Sequence, residues 1–335
     1  VSDAYEYTTA AMGTVVSVRV AGGAPSERPQ RVQRALAWFA QVESICSRFD
    51  ANSEVRRLCA HVGTPVPVSA LLFEVLQFAL AVAAASDGAF DPTLGALGEA
   101  RGFDRHWQSG LPTNAPRETR AAHDGQGTHG WRTVVLDARQ HTVMLRVPLL
   151  LDLGAVAKGL AIDLAARELA DCGDFAIDAG GDLYLGGSNS AGEPWSVGLR
   201  SPLSPDTVFA RLRVRNQSVC TSGDYARASS DGVSTHLIDP ATVDAASGDA
   251  ASGDAASGDA ASGDAATRAI SATVVAPQAM VADALATAAY IMGPTRGIAL
   301  LEQQGVQGLI VSADSTHVMT RGMSAWLDHP ETHAA

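Results

Sequence analysis

LLLDLGAVAKGLAIDLAARELADCG, residues 149–173, joins an apolar strand, a glycine turn and an amphipathic helix in one run. Leu149 to Leu151 lead into Asp152 and Gly154. Val156, Leu160, Leu164 and Ala165 then recur at helical spacing until Gly173. The next segment, FAIDAGGDLYLGG (175–187), predicts two strands about a Gly-Gly turn instead of a second helical crossover. That change of rhythm argues against a doubly wound sheet.

Working outward, MGTVVSVRV (12–20) alternates like a half-buried strand, and a helix is predicted over 30–47. In SRFDANSEVRRL (47–58), Asn52 and Ser53 offer caps for a short helix. The spacing of Phe73, Leu76, Leu80 and Ala83 predicts a helix over 69–86, opened by Ser69 and closed at Asp87-Gly88. Residues 87–130 read as a long irregular segment, of the kind that is usually functional or disordered. Strands are expected at 132–137, 142–147, within 195–220 and at ISATVVAP (270–277). MVADALATAAYIMG (280–293) reads as a helix closing at Gly293, with a further helix at 296–304 and a hairpin at 308–312 and 316–320. The fold class expected is α+β, with mixed, largely antiparallel sheets and packed helices. One domain of two lobes would span 5–325, with a loose tail at 327–335.

Composition narrows the function. The chain of 335 residues is 46% hydrophobic but only 5% aromatic, and its formal charge is −12. Such a balance repels phosphate backbones, so nucleic acid is not an expected partner. Asp244, just before the repeat SGDAASGDAASGDAASGDAA (247–266), and Asp249, Asp254, Asp259 and Asp264 within it supply part of that charge. Ala, Ser, Gly and Asp bury little apolar surface, so 244–266 is expected to be a flexible loop inserted in a turn. The cysteines at 46, 59, 172 and 220 lack CxxC spacing and read as buried free thiols. No apolar run reaches membrane-spanning length, and VSDAYEYTTA lacks the basic start and apolar stretch of a signal peptide. The compartment stays open.

Two segments carry chemistry in their spacing. DLGAVAKG (152–159) points backbone N–H groups and the Lys158 ammonium toward whatever occupies the turn, which favours a phosphate. It matches neither a Walker motif nor GxGxxG, and such turns also serve structure alone. ADALATA (282–288) puts Asp283 and Thr287 on one helix face, where a carboxylate and a hydroxyl can both reach one hard cation such as Mg²⁺. Taken alone, the same pair reads first as a carboxylate complementing the helix dipole and a threonine bonded to its own backbone. DGAFDPT (87–93) has Gly88 for close backbone approach and Asp91 before a proline. GDYARASSDGVSTHLIDP (223–240) places His236 between Asp224 and Asp239, as a structural histidine or a general base.

Taken in order, MGTVVSV, SRFDANSEVRRL, DGAFDPTLGAL, LDLGAVAKGLAID, DAGGDLYLGG, TSGDYAR, HLIDPAT and SATVVAPQAMVADALATAAYIMG resemble the FAD:protein FMN transferase family. The resemblance covers most of the chain from 12 to 293. It implies a Mg²⁺-dependent transferase that moves the FMN phosphoryl group of FAD to a threonine hydroxyl of a partner protein and releases AMP. It places Met12, Ala89, Phe90, Asp91, Asp152, Lys158 and Ile238 at FAD, with Phe49 where many members have a tyrosine against the flavin. Asp283, Thr287 and the carbonyl of Ala155 fall at the metal ligands, and His236 at the base that deprotonates the acceptor. The implied partner carries a motif resembling Asp-x-x-Ser/Thr-Gly-Ala-Thr, which DAASGDAAT (259–267) approximates with two extra residues. GFDRHWQSG (102–110) keeps only the Gly-Phe core of the corresponding family loop. Two other activities fit the same resemblance: an FAD pyrophosphatase giving FMN and AMP, and an FAD carrier without turnover.

Overall fold

The computed structural model of the protein describes residues 4–106, 109–110, 112–113, 130–223, 237–240 and 268–328. Its central layer is a sheet in the order β1 (Tyr5–Ala11), β2 (Thr14–Val20), β6 (Phe175–Ala179), β7 (Asp182–Gly186), β10 (Gln217–Gly223), β11 (Ala269–Ala276), β12 (Gln307–Ser312), β13 (His317–Met319). Every neighbouring pair in it is antiparallel. A small sheet of β3 (Val66–Pro67), β5 (Thr142–Leu145) and β4 (Val134–Asp137) and a ribbon of β8 (Trp195–Ser201) and β9 (Ser204–Val214) complete the strands described. The α+β, largely antiparallel expectation holds.

Strand β11 shows how the layers meet, because every residue in it is buried. Ala272, Val274 and Ala276 face the large core under the helices, while Val275 faces a smaller core under the β8–β9 ribbon. Residues two apart share a face, so one strand feeds two cores. A register shift between Ala269 and Ser271 resets the alternation at the start of the strand.

The helical layer comprises Arg28–Cys46, Ala70–Ala85, Gly154–Leu169 and Ala279–Gln303. Ser69 and Ser53 cap their helices through Leu72 N and Arg56 N, at 3.2 and 3.1 Å. Asn52 does not share that role; its N–H turns back to Asp50. Helix Ala279–Gln303 is long and apolar enough to cross a membrane by length and composition, which no run was expected to be. It is instead broken at Gly293 (φ 75°, ψ 176°), and Ala282, Ala284, Leu285, Ala286, Ala288 and Ala289 are buried in the core. Small side chains let it lie close to the sheet.

Three other expectations change. Tyr5–Ala11 forms a strand ahead of the one predicted at 12–20, and Met12 and Gly13 become the turn, with φ of 51° and 75°. Two positive φ values in a two-residue turn suit the twist of a hairpin. The segment 87–130 holds a short helix, Gly95–Ala100. Leu327 and Asp328, expected in the tail, are held to β9: Leu327 bridges Leu212, and Asp328 N donates to Arg211 O at 2.7 Å. All four cysteines are buried free thiols, and burial pushes Cys46 up to about 12 and Cys59 to about 11.

Candidate active site

Helix Gly154–Leu169 crosses the start of helix Ala279–Gln303 at Gly159. A Cβ placed there would lie 2.5 Å from Ala279 O, so only hydrogen fits. Four residues on, the Asp163 carboxylate accepts from Ala279 N and Met280 N at 2.7 and 2.9 Å. Immediately before the crossing, Lys158 Nζ donates to Asp283 Oδ2 at 3.0 Å and also contacts Asp182 Oδ2. The DLGAVAKG turn and the ADALATA face therefore converge.

Asp182 reaches Lys158 because the Gly-Gly turn delivers it. Gly180 and Gly181 have φ of 68° and 94°, and the Thr14 side chain fills the space that a Cβ at Gly180 would need. Asp182 Oδ1 accepts from Thr221 N at 3.2 Å. On β10, Cys220 and Ser222 face the same helix two residues apart: Cys220 Sγ lies 3.7 Å from Ala279 O, and Ser222 Oγ lies 3.0 Å from Thr287 Oγ1. Asp283 and Thr287 thus have tertiary partners, which the local alternatives for this pair did not require. Asp182, Asp283 and Thr287 are 6%, 6% and 8% exposed.

A second group surrounds Asp152. Its Oδ1 accepts from Gly154 N at 2.9 Å and its Oδ2 from Arg48 Nε at 2.7 Å. Arg48, 5% exposed, also donates to Phe103 O at 2.8 Å and lies 3.9 Å over the Phe49 ring. DGAFDPT is tethered to the same turn, since Asp152 N donates to Pro92 O at 2.8 Å and Gly95 N to Leu150 O at 3.0 Å. Asp91 accepts from Thr93 N and Thr93 Oγ1 at 2.9 and 2.6 Å, and Ala89 is half-buried beside it. The Phe90 ring is in the core, and its N–H donates to Ser86 Oγ at 3.0 Å.

The remaining expected residues lie apart from these direct contacts. Met12 N donates to Glu43 Oε2 at 3.2 Å. Ile238 is buried, and neighbouring Asp239 acts electrostatically on Arg101. Ala155 lies on the same helical turn as Lys158. His236 and Asp224 lie outside the described residues, as do 244–266 and Thr267. Asp182, Ser222 and Arg48 were not anticipated as site residues. The aspartate directly after Gly180-Gly181 was a visible signal; Arg48 had none, because its partners are distant in sequence.

Asp283, Thr287 and Ser222 present hard oxygens, the donors that Mg²⁺ takes, while Lys158 supplies positive charge next to them. Among the described residues no cluster of three or more His, Cys, Asp or Glu side chains stands ready for a metal. Three oxygen donors suit a hard cation that keeps part of its water shell.

A sequence profile of the ApbE family matches residues 12–270 and 256–310. The chain belongs to the ApbE family. The two matched pieces meet at the acidic repeat. The FAD:protein FMN transferase of Treponema pallidum is 33% identical over 331 residues, covering 92% of this chain and 85% of that protein. That of Vibrio cholerae is 28% identical, covering 81% and 76%. The crystal structure of the ApbE protein from Thermotoga maritima superposes with a TM-score of 0.78 at 27% identity, covering 98% of this chain and all of that one. The flavinyl transferase ApbE of Pseudomonas stutzeri, at 23% identity and a TM-score of 0.74, shares the fold.

Proposed function

We propose that this ApbE-family chain is an FAD:protein FMN transferase that requires Mg²⁺. The observation that carries the reading is the junction of Lys158, Asp182, Asp283 and Thr287 at the crossing of two helices, in a chain similar along most of its length to proteins of that name. The acceptor is a threonine in a protein segment resembling Asp-x-x-Ser/Thr-Gly-Ala-Thr.

In this reading the diphosphate of FAD lies at the start of helix Gly154–Leu169, where the partial positive charge of the helix end and the Lys158 ammonium favour anions. Met12, Phe49, Ala89, Phe90, Asp91, Asp152 and Ile238 line the rest of the dinucleotide. Asp283, Thr287 and the Ala155 carbonyl would hold Mg²⁺, which when bound neutralises charge on the phosphoryl oxygens. Lys158 keeps an ammonium beside those oxygens and orients the Asp283 carboxylate. The acceptor hydroxyl attacks the FMN phosphorus, a new P–O bond forms, and the bond to AMP breaks. His236 takes the hydroxyl proton, and AMP leaves with the electron pair.

The test is incubation of the full chain with FAD, Mg²⁺ and a protein bearing the acceptor motif. Flavin fluorescence that stays with the acceptor on a denaturing gel is the expected outcome. Release of free FMN and AMP without labelling would make the chain a pyrophosphatase, and unchanged FAD would make it a carrier.

A further inference from the structure

We propose that Asp163 is a positioning residue: it grips the start of helix Ala279–Gln303 and so sets where Asp283 and Thr287 stand opposite Lys158. The inference rests on the reading of the metal site given above. A helix start leaves backbone N–H groups without partners inside the helix. Here that start is buried, with Ala279 fully enclosed, and the N-cap residue Gln278 makes no side-chain cap. Asp163 supplies the acceptors from a different helix, one carboxylate oxygen to Ala279 N and the other to Met280 N. Two bonds to consecutive amides fix the rotation of the first turn as well as its position.

That rotation matters because Asp283 and Thr287 follow Ala279 by one and two turns on the same face. Lys158, Gly159 and Asp163 belong to one helix, so three contacts register one rigid element against the other. They are the Lys158 bond to Asp283, the close approach of Gly159 to Ala279, and the Asp163 grip. Loss of the grip leaves the ammonium contact but frees the first turn to roll.

The carboxyl also supplies a readout. Burial raises it to about 6, against the opposing pull of Met280 N, Ala279 N and Arg167. Tyr184 from β7 and Cys220 from β10 face it, and burial raises both, so they stay neutral near neutral pH. On the far side, Arg31 and Arg34 of helix Arg28–Cys46 engage Asp171 and Glu168 instead. As pH falls through about 6, Asp163 takes a proton and one oxygen can no longer accept from its N–H. The grip is therefore present above that pH and lost below it.

The experiment measures Mn²⁺ affinity of the full chain by calorimetry, and FAD affinity without metal by flavin fluorescence. Asp163→Asn is expected to weaken Mn²⁺ binding by about 10-fold, the lower end of what loss of a supporting group costs a metal site, while metal-free FAD affinity is retained. Wild-type Mn²⁺ affinity should fall as pH drops from about 7 to about 5, and Asp163→Asn should lack that slope. A folded Asp163→Asn that binds Mn²⁺ like wild type overturns the proposal, as does a flat wild-type pH profile. If the variant does not fold, the wild-type profile decides alone. A wild-type chain that binds no Mn²⁺ at neutral pH defeats the metal reading and this inference together, an outcome distinct from a binding wild type with an indifferent variant.

Discussion

The two helices that build the site begin in opposite surroundings. Helix Gly154–Leu169 starts at an exposed Gly154, with Asp152 just ahead of it shared between Gly154 N and Arg48. Helix Ala279–Gln303 starts fully buried and takes both acceptors from Asp163 on the first helix. Each end carries the same positive partial charge. At the exposed start Gly154 N, Val156 N and Ala157 N are bonded locally, to Asp152 Oδ1 and Leu153 O, whereas at the buried start Ala279 N and Met280 N are bonded to a carboxylate on another helix. One helix start is turned toward solvent and held by its own neighbours in sequence, and the other is turned into protein and held across the fold.

Substitutions can break that contrast at either end. The largest effect is expected from Asp283→Ala, which should lower FMN transfer by about 10³-fold or more, the several kcal/mol of charge stabilisation that a bound metal supplies. Acceptor labelling would show it, and a retained cooperative melt would show that the fold survives. A variant with full activity would remove Asp283 from the site.

Arg48→Gln attacks the exposed end. It takes the guanidinium from Asp152 and Phe103 and should destabilise the fold by about 2–3 kcal/mol, below the usual loss for a fully buried pair because Asp152 is partly exposed. Denaturant melts measure that loss. FAD affinity should fall with it, and a variant that loses stability while binding FAD normally would show that Asp152 does not depend on Arg48 for its place.

Glycine-to-alanine changes in the same helix sharpen the comparison further. Gly159→Ala puts a methyl against Ala279 O and Met280 Cα and should cost about 1–3 kcal/mol, with Mn²⁺ affinity reduced as the helices part. Gly154→Ala meets only Asp152 Oδ1, at 3.1 Å, and should change stability by less than about 1 kcal/mol. Equal melting temperatures for the two variants would contradict the close crossing.

Much of the architecture was legible beforehand because it is written in local spacing. The face of helix Ala70–Ala85, the break at Gly293 and the hairpin about Gly180-Gly181 were all expected, and all are present. Strand Tyr5–Ala11 was missed because it lies at the sheet edge with four of its seven residues exposed, which leaves little alternation to detect. Asp163 was not singled out from the helix pattern. Its partners lie 116 and 117 residues away.

Residue order alone established the α+β class, the pairing of Asp283 with Thr287 on one helix face, and the likeness to flavin transferases. Those features depend on periods of two or 3.6 residues and on motif order, both of which survive in an unfolded chain. Only the packed chain decided that Lys158 would be shared by Asp182 and Asp283, that Arg48 would hold Asp152, and that Asp163 would cap another helix. Such contacts join segments separated by as many as 125 residues, and burial determines which of several aspartates meets which donor.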